Sequence, residues 1–137
     1  MRNERLLDAV EDVIGPNSLC WDTIFWIKKA HTPSYVGWHQ DLKYWGRYNG
    51  ELVSVWLALS PANETSGRMS VLPGSHTELL ERRETYDDDN MLARGQELTI
   101  DIEGREVVSM PLEPVRLHFT TSEQRTALGP IDRRIAA

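Results

Sequence analysis

The segment Trp38-His39-Gln40-Asp41 carries the two side chains whose types and spacing are most suggestive of chemistry. Along an extended backbone, residues i and i+2 project to the same side, so His39 and Asp41 can direct an imidazole nitrogen and a carboxylate oxygen at one ion. A second histidine from a distant strand would complete the three-ligand face of a non-haem Fe(II) site, which leaves positions open for co-substrate and dioxygen. For the tripeptide alone, the alternative is a solvated loop histidine beside a turn aspartate.

Composition narrows the class of protein that can carry such a site. The chain has 137 residues, 40% of them hydrophobic and 26% charged, which is typical of one globular domain. The net charge of −6 argues against nucleic acid or an anionic membrane as the main partner. The run Asp87-Asp88-Asp89 is interpreted as a solvated loop, because it lacks the spaced ligands of a calcium site.

The single cysteine, Cys20, excludes an intrachain disulfide framework and is consistent with a reducing compartment. It lies between Leu19 and Trp21, where packing is a simpler role than nucleophilic catalysis. The first 15 residues are charged throughout and indicate neither a signal peptide nor a membrane span, so a cytoplasmic protein is predicted.

One helix followed by short strands is expected around the motif. Helical spacing of apolar residues predicts a helix over 3–14, stopped by Gly15-Pro16. Strand patterns predict extended segments over 19–28, 51–59 and 68–72, a polar and partly helical excursion over 77–90, and a hairpin formed by 97–102 and 106–112. The pattern favours an all-β sandwich or jelly roll over a βαβ fold.

Two stretches, GWHQDLKYWG and LVSVWLALSPANETSGRMSVLPGSH, resemble the central part of phytanoyl-CoA dioxygenase-like proteins. The resemblance covers about residues 6–114, and its HQD triplet, Trp-bearing strand, polar turn and Pro-Gly-Ser-His closure occur at family-like separations. It implies an incomplete double-stranded β-helix (jelly roll, cupin-like) with an N-terminal helix, in a single partial domain over 1–137. A preceding N-terminal part is expected to be missing.

The same resemblance implies Fe(II) and 2-oxoglutarate as cofactors, a small-molecule substrate, and hydroxylation coupled to decarboxylation of 2-oxoglutarate to succinate. It places His39 and Asp41 as iron ligands, Gln40 and Trp56 at positions that contact 2-oxoglutarate, and Lys28 near the co-substrate. The alternative for Trp56 is a core tryptophan, and for Lys28 a surface lysine. His76 is interpreted as structural and His31 as a loop histidine.

After Pro114 the chain departs from the family pattern. That pattern implies a glycine, a His-His strand, the distal iron-binding histidine, a Ser-Gly-Pro-Asn-Arg run and an arginine pair, the last arginine of which binds 2-oxoglutarate. This chain instead has VRLHFTTSEQRTALGPIDRRIAA, in which only His118 remains, before the expected ligand position. A reading frame shifted by one base combines the third base of each codon with the first two bases of the next codon. Codon degeneracy then permits the expected residues in the expected order. They include His-His at the junctions from 119 to 121 and a histidine at the junction 125/126. We therefore hypothesise a one-base shift near Pro114.

Two rival functions stay open at this point. One is a catalytically dead remnant that lacks the distal histidine and the arginine. The other is a β-sandwich binding module that stacks sugars on its five tryptophans (Trp21, Trp26, Trp38, Trp45 and Trp56).

Overall fold

One helix and eight short strands make up the part of the chain that the structure describes. This computed structural model describes residues 3–41, 52–77, 79–121 and 127–128. The helix is α1 (Glu4–Ile14), and the strands are β1 (His39–Gln40), β2 (Val53–Leu57), β3 (Met69–Val71), β4 (Arg82–Glu84), β5 (Gln96–Leu98), β6 (Val108–Met110), β7 (Leu117–Thr121) and β8 (Ala127–Leu128). No helix among these residues is both long and apolar enough to cross a bilayer.

The predicted helix is confirmed, with its ends set by local capping. Asn3 takes an extended conformation and its side chain accepts a hydrogen bond from the Leu6 amide at 3.2 Å, as an N-cap does. Gly15 ends the helix with a positive φ of 79°, and its N–H donates to the carbonyl of Glu11.

The strands pair in three groups. A four-stranded sheet has the order β1-β8-β3-β6, while β2 pairs with β7 and β4 pairs with β5, all antiparallel. The amide of Leu98 on β5 also donates to the carbonyl of Trp38 at 2.8 Å, so the β4–β5 pair continues alongside β1. The His39–Gln40 segment therefore lies with β8 on one side and β5 on the other.

Two small apolar clusters support these strands. Trp38, Leu72, Leu80 and Leu98 form one, beside β1, and Ala58, Ala62 and Leu112 form the other, beyond the end of β2. Because Trp38 belongs to the first cluster, alternation along the chain turns His39 away from it and Gln40 towards it.

Three predicted elements differ in the structure. Residues 97–102 and 106–112 do contain strands, but β5 pairs with β4 and β6 with β3, so the predicted hairpin is wrong. The excursion over 77–90 contains β4, whose three residues are all exposed. Pairing partners distant in sequence leave no local signal, which is why both features were missed.

Residues 19–28, predicted to form a strand, take no strand pairing among the described residues. Their apolar side chains are largely exposed, with Leu19 at 82%, Trp21 at 70% and Ile27 at 73%. β propensity alone does not make a strand, because the backbone needs a neighbour to complete its hydrogen bonds. The described elements are mainly strands with one helix; their closure into a jelly roll stays a prediction.

Candidate metal and co-substrate site

His39 and Asp41 meet at one point, as their i, i+2 spacing on an extended segment predicts. Nε2 of His39 lies 3.2 Å from Oδ1 of Asp41, and the two side chains are 9% and 19% exposed. An imidazole nitrogen and a carboxylate oxygen at this separation form a pair of donor atoms that one divalent cation can bridge. Their sheltered position limits competition from water.

A backbone carbonyl fixes the ring of His39. Its Nδ1 lies 2.9 Å from the carbonyl oxygen of Gly37, which can only accept, so Nδ1 carries a proton. The other ring nitrogen, Nε2, faces Asp41. Metal-binding histidines are commonly held by such a bond from the other ring nitrogen.

Gly37 is itself held in place by Asn90. Its amide donates to Oδ1 of Asn90 at 3.3 Å, and the Asn90 side chain also bonds the backbone of Leu92 and of Gln96. A Cβ at Gly37 would lie 2.9 Å from Nδ2 of Asn90, so only glycine allows this close approach. A series of hydrogen bonds thus links the buried Asn90 to Gly37, and Gly37 to the candidate ligand His39.

Ser54 on β2 holds the second oxygen of Asp41. Its Oγ donates to Oδ2 at 2.7 Å. Burial alone raises the pKa of Asp41, but the hydrogen bond and charge of His39 and the hydroxyl of Ser54 outweigh it and leave the pKa below its ordinary value. Asp41 is therefore an anion at neutral pH, as a metal ligand must be.

Trp56 lies on the same face of β2 as Ser54, two residues further along. It stands opposite His118 of β7, and the two rings stack with centroids 6.2 Å apart and planes 18° apart. Nε2 of His118 is 3.3 Å from the carbonyl oxygen of Pro111. Both rings therefore have partners within the β2–β7 pair, and the contact of Trp56 with 2-oxoglutarate stays a prediction.

Gln40 is the most deeply buried of the predicted site residues, at 2% exposure. Its Nε2 donates to the carbonyl of Ser75 at 3.1 Å, and its Oε1 accepts from the amide of Leu80 at 3.1 Å. Both polar ends of the amide are engaged on the side of β1 opposite His39 and Asp41. The predicted contact with 2-oxoglutarate is not tested by these bonds.

The remaining predicted residues lie elsewhere in the described chain. Lys28 is half-buried in the segment between α1 and β1, and its place near the co-substrate stays a prediction. His76 is exposed in the short 3-10 turn Ser75–Thr77, and His31 is exposed with a positive φ of 60°. Trp38 is 7% exposed, so it offers no stacking surface for a sugar, whereas Trp21 and Trp26 are open. Trp45 lies outside the described residues.

A third ligand is the missing part of the donor set. Within 3–41, 52–77, 79–121 and 127–128, no group of three or more His, Cys, Asp or Glu side chains is placed to hold a metal ion. The reread tail, with its histidine at the 125/126 junction, falls mostly on residues 122–126 and 129–137, outside the described residues. The pair that is present fits Fe(II) as two of the three ligands of a facial site.

Sequence reasoning missed the residues that support this pair. Ser54 did carry a signal, since it is the one polar side chain in the strand VSVWL. Gly37 and Asn90 carried no such signal in the sequence. The Gly37 carbonyl that holds His39, and the bond between Asn90 and Gly37 across 53 residues, are apparent only in the folded structure.

A family model described as phytanoyl-CoA dioxygenase (PhyH) matches residues 1–114. An ectoine dioxygenase of Streptomyces avermitilis is 29% identical over 84 residues, which are 58% of this chain and 28% of that protein. The chain therefore spans less than a third of the length of this curated relative.

Two solved structures are similar to the described fold. The non-heme monooxygenase ThoJ, in its apo form, superposes with a TM-score of 0.71 at 28% identity, covering 90% of this chain and 44% of its own. EvdO2 of Micromonospora carbonacea var. aurantiaca, in complex with 2-oxoglutarate, gives a TM-score of 0.55 at 26% identity, covering 71% of this chain and 42% of its own.

Proposed function

Because the chain belongs to the phytanoyl-CoA dioxygenase family, we propose that it is part of an enzyme that hydroxylates a small organic substrate while 2-oxoglutarate is decarboxylated to succinate. Members of this family are Fe(II)/2-oxoglutarate-dependent oxidoreductases. The observation that carries the proposal is the 3.2 Å approach of His39 Nε2 to Asp41 Oδ1, with each side chain held from behind by the protein. The proposed fold is a jelly roll formed by one partial domain.

The described residues have distinct tasks in this proposal. His39 and Asp41 would hold the iron, while Gly37 keeps the Nδ1–H of His39 and Ser54 keeps Oδ2 of Asp41. When bound, the iron would allow dioxygen, the oxidant, to be activated with two electrons from 2-oxoglutarate, which leaves as succinate and CO2. The carboxylate of Asp41 favours hydroxylation over halogenation, because halogenases of this kind replace that ligand to make room for chloride.

Trp56 contributes the wall on the β2 side of the site. Its indole stacks on His118 and packs against the cluster formed by Ala58, Ala62 and Leu112. An apolar wall excludes water and strengthens electrostatic contacts to a charged co-substrate. We place 2-oxoglutarate beside this wall, with Lys28 as a further proposed contact.

A catalytically dead remnant is the second candidate, and one specific observation favours it. The described residues supply two ligands, and the family match ends at residue 114, where the tail departs from the family pattern. Loss of a ligand that binds the metal directly should weaken Fe(II) binding by more than the roughly 10- to 100-fold typical of a supporting residue.

One experiment separates the two candidates. Under anaerobic conditions, Fe(II) and 2-oxoglutarate are titrated into the protein, and succinate is measured after oxygen is admitted, without added substrate. Succinate formation that Asp41→Ala abolishes supports the dioxygenase. No Fe(II) binding and no succinate supports the remnant, and Fe(II) binding unaffected by Asp41→Ala would refute the assigned metal site.

A further inference from the structure

We propose that Gln40 is a positioning residue, whose buried amide ties β1 to the segment after β3 and so holds His39 and Asp41 convergent. The inference rests on the proposed function, since the pair it aligns is the proposed iron site. Neither the resemblance nor the family match assigns this role, and it differs from the co-substrate contact that the sequence predicts for Gln40.

Both the nitrogen and the oxygen of the Gln40 side-chain amide are hydrogen-bonded to the backbone. Nε2 donates to the carbonyl of Ser75 and Oε1 accepts from the amide of Leu80, each at 3.1 Å. Gln40 is also the largest fully buried side chain among the described residues. A buried amide with both ends bonded is a rigid connection, because breaking either bond leaves a polar group without water to replace it.

Ser75 and Leu80, the two partners of Gln40, are themselves held by the protein. The hydroxyl of Ser75 donates to the carbonyl of Leu72 at 2.7 Å, and the Ser75 amide donates to the same oxygen at 3.2 Å. Leu72 and Leu80 both pack against Trp38 in the cluster beside β1. Gln40 is thus anchored to a turn that apolar packing and backbone bonds already fix against the same strand.

The position of Gln40 between the ligands gives this anchor its effect. Among the described residues, the ladder of β1 consists of His39 and Gln40 paired with Leu128 and Ala127 of β8, so the side-chain bonds of Gln40 add to a short ladder. His39 and Asp41 project from one side of the segment and Gln40 from the other. A bond pair at the middle residue sets the rotation of the backbone about its own axis, and that rotation decides whether the flanking side chains point at one spot.

The test compares variants of the full chain with Co(II) as the probe. Gln40→Met keeps the length of the side chain and removes both hydrogen-bonding groups. Gln40→Glu keeps the acceptor for Leu80 but sets an oxygen against the carbonyl of Ser75. Leu112→Ala is the matched control, because it opens the other apolar cluster, away from β1.

Two readouts are measured for each chain. Isothermal titration gives the Co(II) affinity, and ¹⁵N–¹H spectra give the imidazole signals of His39, assigned with His39→Gln, without any metal. We expect Gln40→Met to weaken Co(II) binding by about 10- to 100-fold, the range for residues that support metal ligands, and to shift the His39 signals. Gln40→Glu should have a similar effect, and Leu112→Ala should lower the unfolding temperature while leaving both readouts unchanged.

The two readouts keep the inference separate from the proposed function. No Co(II) binding by the parent chain counts against the proposed metal site, and the His39 signals then decide on Gln40 alone. Signals and affinity unchanged in Gln40→Met, or changed equally in Leu112→Ala, would overturn the positioning role. Co(II) affinity unchanged in Gln40→Met, with weakened 2-oxoglutarate binding, would also overturn it and restore the co-substrate contact.

Discussion

At the scale of single residues, Gly37 controls His39 through the carbonyl that accepts its Nδ1–H. Replacing Gly37 with alanine would set a Cβ 2.9 Å from Nδ2 of Asn90, so the amide must move and its bond to the Gly37 N–H is strained. We expect Gly37→Ala to cost about 1–3 kcal/mol of unfolding free energy, through a buried bond that is lost or distorted. Urea unfolding measures this cost.

The control is to make the Gly37→Ala substitution again in a chain that already carries Asn90→Ala. With the Asn90 amide removed, the added methyl group has room, so Gly37→Ala should cost less than it does in the parent chain. Equal costs in the two backgrounds would show that the close approach to Asn90 is not what makes glycine necessary.

Ser54 holds Asp41, the other candidate ligand. Its effect on metal affinity can be measured separately from its effect on the free energy of unfolding. Ser54→Ala removes the hydroxyl from Oδ2 of Asp41 and should weaken Co(II) binding by about 10-fold, the lower end for a supporting residue. Ser54→Thr keeps a hydroxyl on a β-branched side chain suited to a strand and should retain most of the affinity. Ser60→Ala, at an exposed position, should change nothing in the same titration.

The sequence predicted the meeting of His39 and Asp41 because that relation depends only on backbone alternation across three residues. It did not predict the partners of Gln40, which lie 35 and 40 residues away. Alternation does say that Gln40 points away from the ligands, but only folding shows what it meets there. Local geometry was therefore predictable and the support behind it was not.

At the scale of elements, the β4–β5 pair tests which contacts hold a sheet edge together. Arg83 and Glu97 form an ion pair at 3.4 Å, with side chains 65% and 26% exposed, whereas Leu98 is buried against Trp38. We expect Arg83→Ala to cost less than about 1 kcal/mol, because solvent screens the pair. Leu98→Ala should cost about 2–5 kcal/mol, because it leaves a cavity in the cluster beside β1.

Urea unfolding of both variants checks this ranking. A cost for Arg83→Ala as large as that for Leu98→Ala would mean that the ion pair, and not the apolar cluster, holds β5 against β1.

Some elements can be predicted from local sequence signals and others cannot. The helix was predictable because Asn3, the apolar periodicity and Gly15 are all local to it. β4 was not, because Arg82, Arg83 and Glu84 lack the apolar alternation of a half-buried strand. The backbone of β4 is extended because it pairs with β5. This pairing outweighs the charged composition of β4, which does not favour a strand.

At the scale of the whole molecule, the tail decides whether the site can be completed. Ala127 and Leu128 of β8 pair with Gln40 and His39, so the histidine hypothesised at the 125/126 junction immediately precedes a strand beside the candidate metal ligands. We expect restoring the frame after Pro114 to strengthen Fe(II) and 2-oxoglutarate binding together, and to raise succinate formation above that of the given chain. Anaerobic titration followed by a succinate assay measures both.

His118→Ala is the control for this prediction in the given chain. His118 pairs with Trp56 and lies against Pro111, so its removal should leave Fe(II) binding as weak as before. Tight Fe(II) binding by the given chain that His118→Ala abolishes would contradict the two-ligand site. Equal succinate formation by the given and restored chains would contradict the frame hypothesis.

The bonds from His39 to Gly37 and from Ser54 to Asp41 also bear on how such a site decays during evolution. A lineage that lost its third ligand would lose catalysis, yet both side chains would still satisfy partners within the protein. Removing either would leave a sheltered polar group unpaired, at a cost of about 1–3 kcal/mol. Selection for folding alone would then preserve the His-x-Asp tripeptide long after selection for activity had ended, so counting this motif in genomes overstates the number of working oxygenases.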